Sequence, residues 1–142
     1  MEVDINYLAV LAATGASLAL GFLWFGPLFG KPWMRAIGVA MPGEITKAMK
    51  QSMMRSYALV AVSSFIMAAV LAHALFYVSF FTDVYDIATG VTTALWAWLG
   101  FVVPATLGTV LWESRSWRYW FITAGFWLTA LVVSGVILAV WQ

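Results

Sequence analysis

His73 is the only ionisable side chain well inside a long apolar stretch of this sequence. An imidazole at membrane depth can relay protons or bind an ion, so it is a functional hypothesis. Thr92, Thr93 and Ser134 occur at comparable depth in later apolar stretches and would form a polar layer with it, as in a small channel or transporter. The alternative is a neutral His73 that hydrogen-bonds a neighbouring hydroxyl or carbonyl and only holds helices together. A lone imidazole lacks the second ligand or carboxylate that metal or acid–base chemistry needs.

Asp83 and Asp86 follow the second apolar stretch with a spacing of i, i+3. Two carboxylates at a pore mouth would collect a cation, although a hard cation requires about six or more oxygen ligands. The pair suffices for a metal only if several copies assemble. The alternative is that both aspartates are simply solvated and keep their loop outside the membrane.

A second candidate site consists of four basic residues, with Glu113 beside them. Arginine offers bidentate donors to phosphate, so this group predicts a pocket for an anionic lipid headgroup or a phosphorylated ligand. The alternative is purely topological, since positive residues hold loops on the cytoplasmic side. The four residues are Lys31, Arg35, Arg115 and Arg118.

Composition excludes most other classes of protein. Of the 142 residues, 64% are hydrophobic and only 9% are charged, whereas a soluble domain carries about 25% charged residues. A net charge of +1 offers no basic face for nucleic acid. Cysteine is absent, and the motifs of phosphate loops, zinc proteases and nucleophile elbows are missing. We therefore expect no catalytic residue, no metal and no cofactor, and a protein that is not an enzyme.

These residues must be positioned by helices that cross a membrane. Four apolar stretches reach the length of about 20 residues that a span requires, at residues 5–29, 57–81, 87–112 and 119–141. The predicted fold is all-α: a single integral membrane domain, residues 1–142, with four transmembrane helices in an up-down bundle. Residues 31–37 predict a short interfacial helix in the first loop, with Pro32 in its first turn and Gly38 ending it. A further helix is predicted to start near Pro42, with Glu44 in its first turn, and to run on into the second span.

All basic residues fall in the two loops at one side of these spans, and acidic residues mark the other side. The positive-inside rule makes the basic side cytoplasmic, so both termini are expected outside. The acidic flank and the length of the first apolar stretch favour a retained span over a signal peptide.

Small residues recur at i+4 spacing in three of the spans, which lets helix backbones approach closely. Pro104 is expected to kink the third span and free a carbonyl that Thr106 or Thr109 would use. A weak internal echo links residues 21–24 with residues 108–112. The stripes are Gly26 and Gly30; Ser64, Ala68 and Ala72; and Gly100, Pro104 and Gly108.

Two stretches resemble the DUF1761 family. Residues 21–34, GFLWFGPLFGKPWM, are similar to the family's first conserved block, and residues 99–102, 111–115 and 122–126 are similar to its second. The resemblance covers nearly the whole chain and implies a small bacterial multi-pass protein of unknown activity, in the cell inner membrane. This chain has Thr123, Phe126 and Trp127 where members of the family often carry Asn, Tyr or His.

The expected function is non-enzymatic. We expect a protein that packs with itself as a homo-oligomer or is accessory to a larger membrane protein, with membrane lipids as partners and anionic lipid at the cytoplasmic face. The alternative is an oligomeric channel or transporter with the polar layer around His73.

Overall fold

The computed structural model describes residues 4–38, 43 and 46–141. This part of the chain is helical and contains no strand. Helices α1, α2 and α3 span Tyr7–Leu23, Gly30–Ile37 and Lys47–Thr82, and α4, α5 and α6 span Ile87–Ala97, Val103–Leu111 and Trp117–Val140. Two π-helical segments, Trp24–Leu28 and Trp98–Val102, follow α1 and α4.

Four helical stretches are long and apolar enough to cross a membrane, which confirms the predicted all-α membrane fold. They are Tyr7–Leu28, Lys47–Thr82, Ile87–Leu111 and Trp117–Val140. The second is longer than its predicted span, because α3 begins at Lys47 and has 36 residues. At a rise of about 1.5 Å per residue it exceeds the hydrocarbon thickness of about 30 Å by several turns. It is continuous with the polar segment before the span, as predicted, while Pro42 and Glu44 lie outside the described residues.

Each spanning helix begins with a polar side chain that accepts backbone N–H groups left free in the first turn. Asn6 accepts from Leu8 and Ala9 at the start of α1. The corresponding caps of α3, α4 and α6 are Thr46, Asp86 and Ser116. The helix starts are therefore fixed by local sequence as well as by burial.

The helices pack in a ring, with α1 between α3 and α6, and α4 also between α3 and α6. Alanines such as Ala9, Ala13 and Ala94 fill much of the centre, with larger residues such as Leu71 and Leu131 between them. The stripe Ser64, Ala68 and Ala72 is buried in this core, as expected of small residues at i+4 spacing. The Asn6 side chain, which caps α1, donates to the carbonyl of Trp141 just after α6 at 3.4 Å. This hydrogen bond links the first and last spanning helices.

The closest backbone approach joins α4 to α6, where Gly90 faces Gly135. A β-carbon on Gly135 would lie 2.5 Å from the carbonyl oxygen of Gly90, and one on Gly90 would collide with the carbonyl of Gly135. Only glycine permits this contact. It lies outside the three stripes singled out from the sequence.

Helix α2 matches the predicted short helix over residues 31–37. Pro32 lies in its first turn, and Gly38 follows it in the left-handed conformation at φ 72°. Its placement along the membrane surface stays a prediction.

Proline accompanies both π-helical segments. Pro27 lies inside the first, and Pro104 follows the second. Proline removes one backbone donor and disturbs the preceding turn, which explains why regular hydrogen bonding shifts at these places. The Thr106 hydroxyl donates to the carbonyl of Val102 at 2.6 Å, which is not one of the carbonyls four or five residues before Pro104 that the proline leaves without a partner N–H.

Candidate functional site

The basic end of the bundle, defined by Lys31, Arg35, Arg115 and Arg118, is built on an aromatic contact between the first π-helical segment and α6. The indole of Trp24 donates to the carbonyl of Ile122 at 3.0 Å. This bond anchors the end of the first span to the first turns of α6.

Rings fill the space around that bond. The Trp24 ring lies 4.7 Å from the Phe29 ring, and Phe25 lies 5.0 Å from Phe126. The Trp33 ring of α2 meets Phe25 edge-on at 5.2 Å. A β-carbon on Gly30 would lie 2.7 Å from the carbonyl oxygen of Phe25, so the chain turns here with no room for a side chain. The two stretches that resemble the DUF1761 family thus form one contact.

The four basic side chains are exposed at the same end of the bundle as this contact. Lys31 and Arg35 are exposed on α2, at i, i+4 spacing on one face. Arg115 and Arg118 are exposed in and just after the connection from α5 to α6. The Arg115 guanidinium lies 5.7 Å from the centre of the Tyr119 ring, within cation–π range. The fold therefore brings the two pairs to one end of the bundle, on different elements and without a buried pocket between them.

The polar residues predicted inside the membrane lie at separate contacts. His73 is half-buried, and its Nδ1 lies 2.7 Å from the carbonyl oxygen of Ala69 on its own helix. The Thr93 hydroxyl donates to the carbonyl of Thr89 at 2.8 Å. Ser134 is buried, with its hydroxyl 3.2 Å from that of Ser17. Ser17 was not singled out from the sequence, because a hydroxyl's partner on another helix leaves no mark in spacing.

Thr92 and Thr93 line a large groove between α3 and α4, of about 690 Å³. On the α3 side the groove is bounded by Ala74 and Val78. His73 lies about 140° around the helix from Val78, at 100° per residue, and so points away from the groove. The predicted layer of His73 with the threonines is not formed within one chain.

The acidic end of the bundle, defined by Asp4, Asp83 and Asp86, lies opposite the basic end. Asp86 Oδ1 accepts the backbone N–H of Thr89 at 2.7 Å. That hydrogen bond to the ionised form lowers the pKa of the Asp86 carboxyl below its ordinary value of 3.8. Within the described ranges, no group of three or more metal-ligating side chains comes together.

The sequence reasoning missed a second indole bond. Trp98 begins the second π-helical segment, and its indole donates to the carbonyl of Ala124 at 2.8 Å. Trp24 likewise begins the first segment. The signal was a repeated pattern, since both segments start with Trp-x-Gly and have a proline in or just after them. In the structure, Trp24 and Gly26 therefore correspond to Trp98 and Gly100. This correspondence differs from the sequence echo between residues 21–24 and 108–112.

Comparison with known proteins gives a family and no relative of known function. No curated protein and no solved structure matches the chain. A family profile described as protein of unknown function matches residues 8–139, which is nearly the whole chain. The chain belongs to the DUF1761 family.

Proposed function

We propose that the protein is a non-enzymatic membrane protein that works by associating with other membrane helices, those of further copies or of a larger membrane protein. The observation that carries this proposal is the uneven cover of the spans. In the most apolar stretch of the third span, 6% of the residues are buried, against 44% in the fourth. A helix of which so few residues are buried keeps an exposed face that other helices can cover.

The exposed face of the third span includes one of the small-residue stripes. Gly100 and Pro104 are exposed, and a β-carbon on Gly100 would meet no atom within 4 Å. Leu99 beside them is 52% exposed. Small residues next to an apolar one let a second helix approach closely, where dispersion contacts and weak hydrogen bonds accumulate. We therefore place the interface along residues 99–108.

The test compares two open glycines. Gly100→Leu fills the proposed interface, whereas Gly15→Leu adds the same bulk to α1, at a glycine that also has no neighbour within 4 Å. Energy transfer between labelled copies in liposomes, and partner recovery after gentle extraction, measure association. We expect Gly100→Leu to weaken one of these about tenfold, equivalent to about 1.4 kcal/mol, and Gly15→Leu to change neither. Equal behaviour of the two variants removes the third span from the interface.

A second function, binding of anionic lipid, is favoured by the basic end. Its four cations are exposed beside aromatic rings of the kind that lie at membrane surfaces. Exchange of Arg115 and Arg118 for Gln is expected to reduce recovery of phosphatidylglycerol with the purified protein. Exchange of Lys47 and Lys50 for Gln is the matched control. Unchanged recovery in the arginine variant excludes this site.

The same charge distribution supports the proposed orientation. The fold places all seven Lys and Arg residues at the end where α1 finishes and α6 begins. With that end in the cytoplasm of a bacterial inner membrane, both termini lie outside. A tag inserted beside Lys47 should then stay shielded in intact cells, and a tag at either terminus should be labelled.

Transport through one bundle is not proposed, because side chains fill the bundle centre and His73 is satisfied within its own helix. A path would have to lie between copies.

A further inference from the structure

The groove between α3 and α4 is a large open cavity. Its volume of about 690 Å³ lies in the range of ligand sites, about 300–1,000 Å³. The groove opens sideways between two spanning helices, where lipid surrounds the protein. Alanine, valine and aromatic side chains form most of its wall, ending at Trp96 and Phe101.

The groove is mostly apolar, although four threonines line it. The Thr82 hydroxyl donates to the carbonyl of Val78 at 2.7 Å, and that of Thr93 to the carbonyl of Thr89 at 2.8 Å. These two hydroxyls are bound within their own helices, while Thr89 and Thr92 add polar atoms to a wall made mainly of alanine, valine and aromatic side chains. Such a surface suits an aliphatic chain.

The mouth of the groove is acidic. Asp86 lines it, and Asp83 is exposed in the same turn. The Thr89 N–H holds the pKa of Asp86 below its ordinary value, so the carboxylate is charged at neutral pH. Every basic side chain of the protein lies at the opposite end. An anionic headgroup would be repelled here, and an ammonium group would be attracted.

The length of the groove matches that of one lipid. From Asp86 to Phe101 the chain rises about 22 Å, at about 1.5 Å per residue. Half of a bilayer, headgroups included, measures about 20–22 Å. A single lipid occupies one leaflet, so the groove can take it from headgroup to acyl end.

We propose that this groove binds one phospholipid whose headgroup carries an ammonium group, with an acyl chain between α3 and α4 and the ammonium beside Asp86 and Asp83. The site adjoins the proposed interface along residues 99–108, since Phe101 belongs to both, and it lies apart from the basic end. A lipid of this class, such as phosphatidylethanolamine, would fill the gap between the two helices and hold the third span against the second.

The experiment releases the protein from nanodiscs made of equal parts phosphatidylethanolamine and phosphatidylglycerol with identical acyl chains, and weighs the intact complexes. The wild-type protein is expected to retain one phosphatidylethanolamine. Thr92→Trp fills the groove and should abolish that retention. Val62→Trp is the matched control, because Val62 is an exposed residue on another face of α3.

Asp86→Asn tests the headgroup separately. Asparagine still caps a helix, so the fold is preserved while the charge is removed. The preference for phosphatidylethanolamine over phosphatidylglycerol should fall about two- to fivefold, as for an exposed ion pair.

Three results would overturn the proposal: retention that Thr92→Trp leaves unchanged, equal retention of both lipids by the wild-type protein, or a dimer that Thr92→Trp dissociates. The last would make a second copy the occupant. Because phosphatidylglycerol recovery through Arg115 and association through Gly100 are read separately, either part of the proposed function can fail without this site failing.

Discussion

In the first span, the π-helical segment begins with Trp24, whose indole donates to the carbonyl of Ile122. In the third span, it begins with Trp98, whose indole donates to the carbonyl of Ala124. The same local device is therefore used twice, against two carbonyls that lie two residues apart in one turn of α6. The surroundings differ in one respect, because the rings of Trp24 and Phe25 in the first segment pack against those of Phe29, Trp33 and Phe126. The other residues of the first segment, Gly26, Pro27 and Leu28, are exposed, as are Leu99, Gly100 and Phe101 of the second.

The two π-helical segments also differ in what the chain does after them. The π-helical segment is a place where a helix can change direction or expose new side chains, and such segments are frequent at functional sites. After the first segment the chain turns at Phe29 and α2 folds back onto α6. After the second segment the chain continues directly as α5, with helical backbone angles at the junction. The first segment leads into a return of the chain onto α6, and the second leads into a direct continuation of the helix, while both leave three residues exposed.

The largest expected difference is between Gly30, which follows the first segment at the start of α2, and Gly100 of the second segment, in their tolerance of a methyl group. Gly30→Ala would push a β-carbon against the backbone of Phe25, which should cost about 1–3 kcal/mol of unfolding free energy. Gly100→Ala meets open space and should be neutral or stabilising by up to about 1 kcal/mol. Unfolding by SDS titration in mixed micelles measures both. Similar losses in the two variants would show that Gly100 is enclosed as Gly30 is.

A smaller difference is expected when the indoles are removed. Trp24→Phe and Trp98→Phe each lose one interhelical hydrogen bond, and each should cost about 0.6 kcal/mol. Trp24→Leu also loses the ring contacts with Phe29 and Phe126, an additional cost of about 0.5–1.5 kcal/mol.

Trp98→Leu is the control, since no aromatic stacking partner of Trp98 occurs in residues 4–38 or 46–141. The same SDS titration applies. If the two leucine variants are equally stable, the aromatic cluster does not stabilise the first segment.

The smallest expected difference depends on pH, because the spans that contain the two segments begin with different caps. Asn6 caps α1 and cannot titrate, whereas Asp86 caps α4. Folding lowers the pKa of Asp86 from its ordinary value of 3.8, so its ionised form favours the folded state. That stabilisation is present above the unfolded pKa and is lost as the pH falls through the lower folded pKa.

Asp86→Asn is the matched control, because it keeps a capping side chain and removes the titration. Thermal midpoints between neutral pH and pH 3 should therefore fall slightly further in the wild-type protein than in Asp86→Asn. A parallel decline in both would assign the pH dependence to other groups.

Hydropathy and charge were sufficient to predict the four spans, because a bilayer imposes its thickness on every helix that crosses it. Charge order also predicted a helix that carries Lys47 and Lys50 and runs on into the second span, and α3 does run from Lys47 through that span. The predicted start near Pro42 lies outside the described residues.

The contacts between helices were less predictable. The basic residues and the block around Trp24 were singled out, yet nothing in the spacing specifies that an indole will reach the carbonyl of Ile122. The contact of Gly90 with Gly135 could not be predicted from spacing either, because the chain has 11 glycines and glycine is common in membrane helices. Which two of them touch depends on which helices are neighbours, and that is a property of the whole bundle.

The hydrogen bond from the Asn6 side chain to the carbonyl of Trp141 also has a practical consequence. It brings the start of the first span and the end of the last within hydrogen-bond distance of each other, at one end of the bundle. A linker of a few residues would join them, so a circular permutant reopened between α5 and α6 should keep the same packing. The two halves of a split fluorescent reporter, fused at these positions, would likewise reassemble within one molecule.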